Sequence, residues 1–213
     1  MKLVCALALT ALCQVAALQP VPRSSAKSAA LGLRGGGILG DVWTGYNSAL
    51  SDSPILTKAA TSLVGFSAGD VLAQTCVQKS DDGFDLKRLV QMGSFGFLLH
   101  GTTGHYFYGF LDSVMPGKSP ADVIAKVAID QILWAPIFGI MFFTYLGATS
   151  GQGPSEIAAK IKADLVAAVT GSWTVWPIAH AINFSLIPTE QRLLYINSIQ
   201  IFYNIFLSII GSR

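Results

Sequence analysis

The stretch WTVWPIAHAINFSLIP, residues 173–188, decides how the chain folds, because it is apolar enough to enter a bilayer and yet contains polar groups and a proline. Its larger polar and aromatic residues recur at spacings of three, four and three: Trp173, Trp176, His180 and Asn183. Residues so spaced share one face of an α-helix. We expect this face to point into a helix bundle rather than toward lipid, and Pro177 to kink the helix.

The composition of the whole chain agrees with a membrane protein. Charged residues make up 12% of the 213 residues and hydrophobic residues 52%, whereas typical soluble domains contain roughly 25% charged residues. The formal net charge is only +2, which argues against a nucleic-acid-binding surface. Two of the three cysteines lie near the N-terminus, and Cys76 alone cannot form a disulfide framework or a cysteine-rich metal site.

Five apolar segments each have about the length that crosses a bilayer, roughly 20 residues. They cover about 54–77, 86–111, 121–146, 166–187 and 192–210. Backbone polar groups in lipid must pair within the chain, and no segment shows the alternation of a barrel strand. The fold class is therefore all-α, a polytopic membrane helix bundle with four to five long helical segments. The number stays open because the fourth segment begins with an amphipathic stretch that can lie along the interface.

The N-terminal 40 residues read as a cleavable targeting presequence. They contain no acidic residue, and an apolar run after Lys2 ends in small residues suited to cleavage after Ala17. Residues 18–37 are rich in serine, alanine and basic residues, as transit peptides are. A signal-like part (1–17) before a transit-like part (18–37) predicts a plastid behind extra membranes; the alternative is a mitochondrial presequence. Residues 41–53 are then a linker, and 54–213 one membrane domain.

Three charged residues fall inside the apolar segments and need partners: Asp70, Lys126 and Asp130. A charge at the centre of a bilayer costs roughly 2.5–3.5 kcal/mol on insertion scales. Lys126 and Asp130 are four residues apart and can pair along one helix face. Gln74 follows Asp70 by one turn. These groups either line a hydrated pathway or form structural pairs near helix ends.

Two other patterns have a packing interpretation and a catalytic or metal-binding one. The sequence GFSAG (65–69) matches a nucleophile elbow with Ser67, but that motif needs a preceding strand. As G-x-x-x-G, Gly65 and Gly69 let two helices approach closely, which we favour. His100 and His105 are five residues apart, which is poor spacing for a zinc site. We therefore predict no catalytic residues, no metal and no cofactor.

The stretch 173–208 also resembles the C-terminal signature of the peroxisomal membrane protein family that includes the mitochondrial inner-membrane Mpv proteins and the yeast Sym proteins. The matching residues are Trp173, Trp176, Pro177, His180, Asn183, Phe184, Ile187, Pro188, Arg192, Tyr203, Asn204, Leu207 and Ser208. Upstream, similar motifs include Asp70, Gln74, Arg88, His105, Tyr108, Lys126, Asp130, Gln131 and Pro136. His180 stands where the family usually has Gln, and Tyr203 where it usually has Trp.

The resemblance implies a multi-pass protein of a mitochondrial, peroxisomal or plastid membrane, similar to weakly selective pores for small solutes. The alternative is a non-conducting structural or assembly protein; an enzyme is not expected. Candidates for pore-lining or interhelical polar residues are Asp70, Gln74, His105, Lys126, Asp130, Trp173, Trp176, His180, Asn183 and Arg192. Candidates for helix kinks or packing are Gly65, Gly69, Pro136, Pro177 and Pro188. The expected partners are the lipid bilayer, small solutes or metabolites and further copies of the chain, but not nucleic acid.

We predict that Met1 to about Gly37 is absent from the mature protein, because this acid-free segment has the composition of a cleavable targeting signal. N-terminal sequencing of the protein purified from its native membrane checks this. A mature chain that starts at Met1 would contradict it.

Overall fold

The computed structural model describes residues 38–76 and 83–211, and every regular element in these ranges is helical. In chain order the helices are α1 (Ile38–Asp52), α2 (Pro54–Cys76), α3 (Leu86–Phe95), α4 (Gly101–Val114), α5 (Pro120–Ile129), α6 (Ala135–Thr149), α7 (Pro154–Ser172), α8 (Trp176–Leu186) and α9 (Arg192–Gly211). Two π-helical turns, Gly96–His100 and Asp130–Trp134, join α3 to α4 and α5 to α6 without a break. The predicted all-α membrane bundle is confirmed.

The distribution of polarity is that of a protein surrounded by lipid. Large aliphatic and aromatic side chains face outward along several helices, among them Ile124, Ile132, Val166 and Ile178, each more than 60% exposed. Many polar and charged side chains are instead buried: Lys58, Ser62, Asp70, Gln74, His100, Lys126, Asp130, Gln131, His180, Asn183, Arg192 and Asn197. Because lipid cannot hydrogen-bond to polar groups, most of these side chains bond to one another inside the bundle, for example Asp70 to Gln74 and Asn197 to Ser62.

The helices differ in how they could cross a bilayer. α5, its π turn and α6 form one continuous helix, Pro120–Thr149, of 30 residues, which by length and composition can span by itself. α7 and α8 meet that test only together, and they are bent by 58° at the break between them. Within the described residues no other helix meets it. The fourth predicted segment is thus two helices rather than one kinked helix.

Local signals set the helix ends. Ser119 and Asp122 form a capping box before α5, with Pro120 in the first turn, where a missing backbone donor does no harm. Gly151, at φ +84°, makes the turn after α6 in a left-handed conformation that favours glycine.

The predicted linker, residues 41–53, is helical over most of its length, as α1. Of the predicted presequence, residues 1–37 lie outside the described residues.

α2 lies at the centre of the bundle, packed between α9 on one side and α3 and α4 on the other. Glycines make this close packing possible. A Cβ at Gly65 would lie 2.8 Å from the Cβ of Asn197 on α9. A Cβ at Gly96 would lie 2.5 Å from the carbonyl oxygen of Ser62, and one at Gly101 2.5 Å from the Cα of Ala59. Gly69 lies one turn after Gly65 on α2.

The same packing bears on the nucleophile-elbow hypothesis. The whole GFSAG sequence lies inside α2, with helix on both sides, so the strand-to-helix turn that exposes such a serine is not formed there. The hydroxyl of Ser67 instead lies against Gly93 of α3, 2.5 Å from where a Cβ would be. Ser67 is therefore a contact residue between two helices.

We predict that Gly101→Ala lowers the free energy of unfolding by about 1–3 kcal/mol, because its methyl group would overlap the α2 backbone at Ala59. Gly109→Ala is the matched control on the same helix, since nothing lies within 4 Å of its Cβ position. It should be neutral or stabilising, by up to about 1 kcal/mol. Thermal unfolding of both variants in one detergent measures the difference; equal effects would contradict close packing at Gly101.

Candidate functional site

The carboxylate of Asp112, near the end of α4, forms ion pairs with two buried cations. Asp112 Oδ1 lies 2.9 Å from Nζ of Lys126 on α5, and Asp112 Oδ2 lies 2.5 Å from Nη1 of Arg192, the first residue of α9. The Thr189 hydroxyl donates to the same Oδ2. Lys126 and Arg192 are each 1% exposed, so this Asp112 cluster, made of these four residues, ties three helices together at one end of the bundle.

The expected pair of Lys126 and Asp130 along one helix face is not formed. Lys126 bonds instead to Asp112 and to the carbonyl of Gly117, at 3.2 Å. A lysine that precedes its acidic partner by four residues is the less favourable order on a helix. Asp112 comes from another helix and is already placed by Arg192, so it outcompetes Asp130 for the ammonium group.

Asp70 and Gln74 form a separate junction between α2 and α3. Asp70 Oδ1 lies 2.7 Å from Nε of Arg88, and Gln74 Nε2 donates to Asp70 Oδ2 at 2.7 Å. The Gln74 amide also bonds to both backbone groups of Asp85, the N-cap of α3. These contacts give both predicted candidates a structural role where the last turns of α2 meet the start of α3.

A cavity of about 370 Å³ lies between several helices of the bundle. Three polar residues at one side of it, Asp130, Gln131 and His180, are called the acceptor corner below. The other polar or amphipathic residues that line it are His100, Tyr108, Ser172, Trp176, Gln200 and Tyr203. Its remaining wall is apolar and includes the aromatic residues Phe66, Trp134, Phe138, Phe142 and Phe143. The cavity is therefore polar at one side and apolar at the other.

The three side chains of the acceptor corner meet at one oxygen atom, Asp130 Oδ2. Gln131 Nε2 donates to Asp130 Oδ2 at 2.7 Å, and His180 Nε2 lies 3.2 Å from the same oxygen. All three side chains are at least nine-tenths buried. Asp130 Oδ1, Gln131 Oε1 and His180 Nδ1 have no hydrogen-bond partner within the described part of the chain.

The π-helical turns supply cavity residues from two helices. The Gly101 amide bonds to the Gly96 carbonyl, and the Ala135 amide to the Asp130 carbonyl, each five residues back. The first turn ends at His100, and the second contains Asp130, Gln131 and Trp134. π turns occur often at functional sites, because the extra residue in the turn redirects neighbouring side chains.

The two histidines predicted as helix-packing residues both contact α2, one turn apart. His100 Nδ1 lies 3.0 Å from the Ser62 hydroxyl, which accepts from Asn197 Nδ2 at 3.0 Å. His105 Nδ1 lies 3.2 Å from Nζ of Lys58. The first contact joins three helices, α2, α9 and the α3–α4 helix. In the ranges 38–76 and 83–211 no three His, Cys, Asp or Glu side chains are placed to hold a metal ion.

The prediction that Trp173 shares a helix face with Trp176, His180 and Asn183 is wrong. α7 ends at Ser172 and α8 begins at Trp176, so Trp173 lies in the bend between them and is 49% exposed. Pro177 does not kink a helix interior; it occupies the first turn of α8, where a residue without a backbone N–H fits best. Trp176 and His180 line the cavity, and Asn183 is fully buried one turn further.

The other two candidate prolines differ in position. Pro136 is in the first turn of α6, directly after the second π turn, inside the continuous helix Pro120–Thr149. Pro188 lies between α8 and α9, where its carbonyl accepts from the Gln191 amide at 3.0 Å. Only Pro188 therefore lies where a helix ends.

Two charged residues of the buried ion pairs were not among the candidates from sequence. Asp112 and Arg88 lie near the ends of apolar segments, where charges are usually solvated. The signal that could have found Asp112 is the presence of two deeply placed cations, Lys126 and Arg192. Each needs an anionic partner, and few acidic residues lie near the end of an apolar segment.

Comparisons with known proteins place this architecture among relatives. The sequence model described as the Mpv17 / PMP22 family matches residues 147–208. PXMP2/4 family protein 2 of Dictyostelium discoideum is 34% identical over 78% of this chain and 89% of its own length. Protein sym1 of Aspergillus oryzae is 34% identical over 78% and 96%, and bovine (Bos taurus) peroxisomal membrane protein 2 is 32% identical over 74% and 83%. No solved structure matches the chain.

We predict that Asp112→Ala lowers the free energy of unfolding by about 3–5 kcal/mol, because it leaves two buried cations without their carboxylate. Asp164→Ala is the matched control: Asp164 pairs with Lys160 at 2.6 Å, but both side chains are about half exposed. Such a surface pair contributes about 0–1 kcal/mol. Chemical unfolding of the purified protein in detergent measures both, and a similarly small effect at the two sites would contradict the role of the Asp112 cluster.

Proposed function

The chain belongs to the Mpv17 / PMP22 family of organelle-membrane proteins, and we propose that its central cavity is part of a weakly selective pore for small solutes. The observation that carries this proposal is the polar part of the cavity lining. Asp130, Gln131 and His180, all buried, are among the residues that line a cavity large enough for a small molecule.

The position of the cavity also supports a pathway. It lies among helices whose outer surfaces carry many exposed apolar side chains. Trp176, His180 and Tyr108 line it together with Asp130. Ionisable side chains in the interior of a membrane bundle commonly mark the routes of ions and polar substrates.

A non-conducting structural protein is the second candidate. The Asp112 cluster and the Asp70–Arg88–Gln74 junction favour it, because these buried polar groups bond to one another across helices and have no need of a solute. Such contacts hold membrane helices together. The cavity distinguishes the two functions, because only a solute pathway makes use of a space lined by polar side chains.

The proposed organelle and assembly follow from the relatives and the N-terminus. The bovine relative is named a peroxisomal membrane protein, which supports an organelle membrane for this chain. The bipartite composition of residues 1–37 leads us to propose a plastid membrane. A mitochondrial inner membrane or a peroxisome is the alternative if this segment acts as a single presequence or not at all. We propose that several copies associate in the membrane, as many pores do.

Planar-bilayer recording of the purified full chain tests the pore. We expect single-channel conductance in the wild type, and we expect Asp130→Asn to reduce the preference for cations over anions severalfold, because it removes the only acidic side chain that lines the cavity within the described residues. Asp70→Asn is the matched control, since Asp70 is equally buried but pairs with Arg88 outside the cavity lining.

Cysteine labelling checks the same cavity independently of conductance. Cysteine at position 180 or 131 should react with a small water-soluble thiol reagent faster than cysteine at Ile178, whose side chain is 69% exposed on the outer surface. If the wild type gave no conductance and the cysteines reacted at equal rates, the pore would be contradicted and the structural-protein function would be favoured.

A further inference from the structure

The outward face of α7 differs from the other outer surfaces of the bundle. α7 packs along α6, with Leu165 in contact with the Gly139 position, and on its opposite side it exposes only one large apolar residue, Val166. The helix Pro120–Thr149 instead exposes five: Ile124, Ile132, Leu133, Ile137 and Ile140. Large apolar side chains are what a lipid-facing surface requires. The outward face of α7 therefore does not have the chemistry of a surface that meets lipid.

Three charged side chains of α7 lie beside an uncharged stretch of α6. Lys160 lies over the ring of Phe143, 5.9 Å from its centroid, and pairs with Asp164 at 2.6 Å. Lys162 is exposed between them, and residues 135–149 of α6 contain no charge. Asp164 is ten residues, or about 15 Å, from the start of α7. A lysine can extend its amine toward the headgroups from such a depth, whereas a short aspartate cannot.

This face is shaped for contact with another helix. Charged side chains that meet hydrocarbon are costly and rare, so we expect something polar to cover them. Ala159 and Ala163 lie between the charged residues and are themselves exposed, so no described part of the same chain covers them. Small residues at these positions let the backbone of a second helix approach closely.

The charges of the face are complementary to those of a second copy of α7. Lys160 and Asp164 lie about 40° apart around the helix, whereas Lys162 lies about 160° from Asp164, on the opposite edge. Copies in one membrane orientation are related by an axis along the membrane normal, so each edge of α7 meets the opposite edge of its neighbour. Lys162, which has no ion pair within the described residues, then lies beside Asp164 of the partner subunit.

We propose that the outward face of α7 is the contact surface between two copies of this chain, with the two α7 helices packed in parallel about a two-fold axis. The contact consists of close approach at Ala159 and Ala163 and of two symmetric pairs between Lys162 and Asp164 of the partner subunit. It rests on the proposed function only for the association of copies, whose surface it names, and it does not depend on conductance.

Cysteine cross-linking of the full chain in phosphatidylcholine vesicles tests the surface, with the three native cysteines replaced by serine. Ala163→Cys lies at the centre of the face and should form disulfide-linked dimers severalfold faster under mild oxidation than Ile124→Cys. Ile124 is the matched control, because it is 69% exposed on the outer surface of α5. Equal rates, or faster linkage at Ile124→Cys, would mean that the α7 face meets lipid or water, and would overturn the proposal.

A charge exchange tests the pairing itself. Lys162→Glu brings like charges together across the axis and should raise the monomer fraction severalfold, counted by single-molecule fluorescence in the same vesicles. Adding Asp164→Lys restores opposite charges and should return the fraction toward that of the wild type. Lys118→Glu makes the first change at an exposed position outside α7 and should have no effect. An unchanged monomer fraction in Lys162→Glu, or no recovery in the double variant, would overturn the pairing.

Conductance separates this contact from the proposed pore. A wild type that is monomeric in vesicles and still conducts would refute the contact surface and leave the pore standing. Dimers linked through Ala163→Cys in a protein that gives no conductance would refute the pore and leave the contact surface standing.

Discussion

The need of a buried charge for a partner organises the interior of this bundle. Lys126 lies one turn from Asp130 on a single helix, yet its ammonium group binds Asp112, which already holds Arg192. These two ion pairs of Asp112 connect α4, α5 and α9 at one end of the molecule. They also leave Asp130 without a lysine or arginine partner. Asp130 instead contacts Gln131 and His180 at the edge of the cavity. The position of the acceptor corner therefore depends on the pairing of Lys126 with Asp112 rather than with Asp130.

Close helix packing supports this arrangement from the opposite side. α2 approaches the α3–α4 helix so tightly that a methyl group at Gly96 or Gly101 would meet its backbone. Van der Waals contact and interhelical hydrogen bonds are what hold helices together in lipid, where no hydrophobic force acts between them. The bond from His100 to Ser62 crosses this same interface. The cavity therefore lies beside a rigid helix pair and not in a loosely packed region.

The sequence predicted the fold class and the burial of its polar residues well, because hydropathy and segment length reflect the bilayer directly. It placed Trp176, His180 and Asn183 on one helix, and all three lie on α8, with His180 and Asn183 buried and Trp176 half-buried. It failed for Trp173 because Pro177 starts a helix there instead of kinking one. It failed for Lys126 because its partner comes from a different helix, and long-range pairing leaves no periodic trace in a single sequence.

The π-helical turns have a consequence for how the length of this chain can vary. A π turn holds one residue more than the α-helical turn it replaces. A deletion of one residue within Gly96–His100 or Asp130–Trp134 could therefore be absorbed by a return to α-helical bonding, with both flanking helices kept whole. The same deletion in the middle of α2 would rotate every following side chain by about 100°. Single-residue gaps between relatives are accordingly expected at these two turns, and a relative with such a gap would lose the side-chain direction on which the cavity depends.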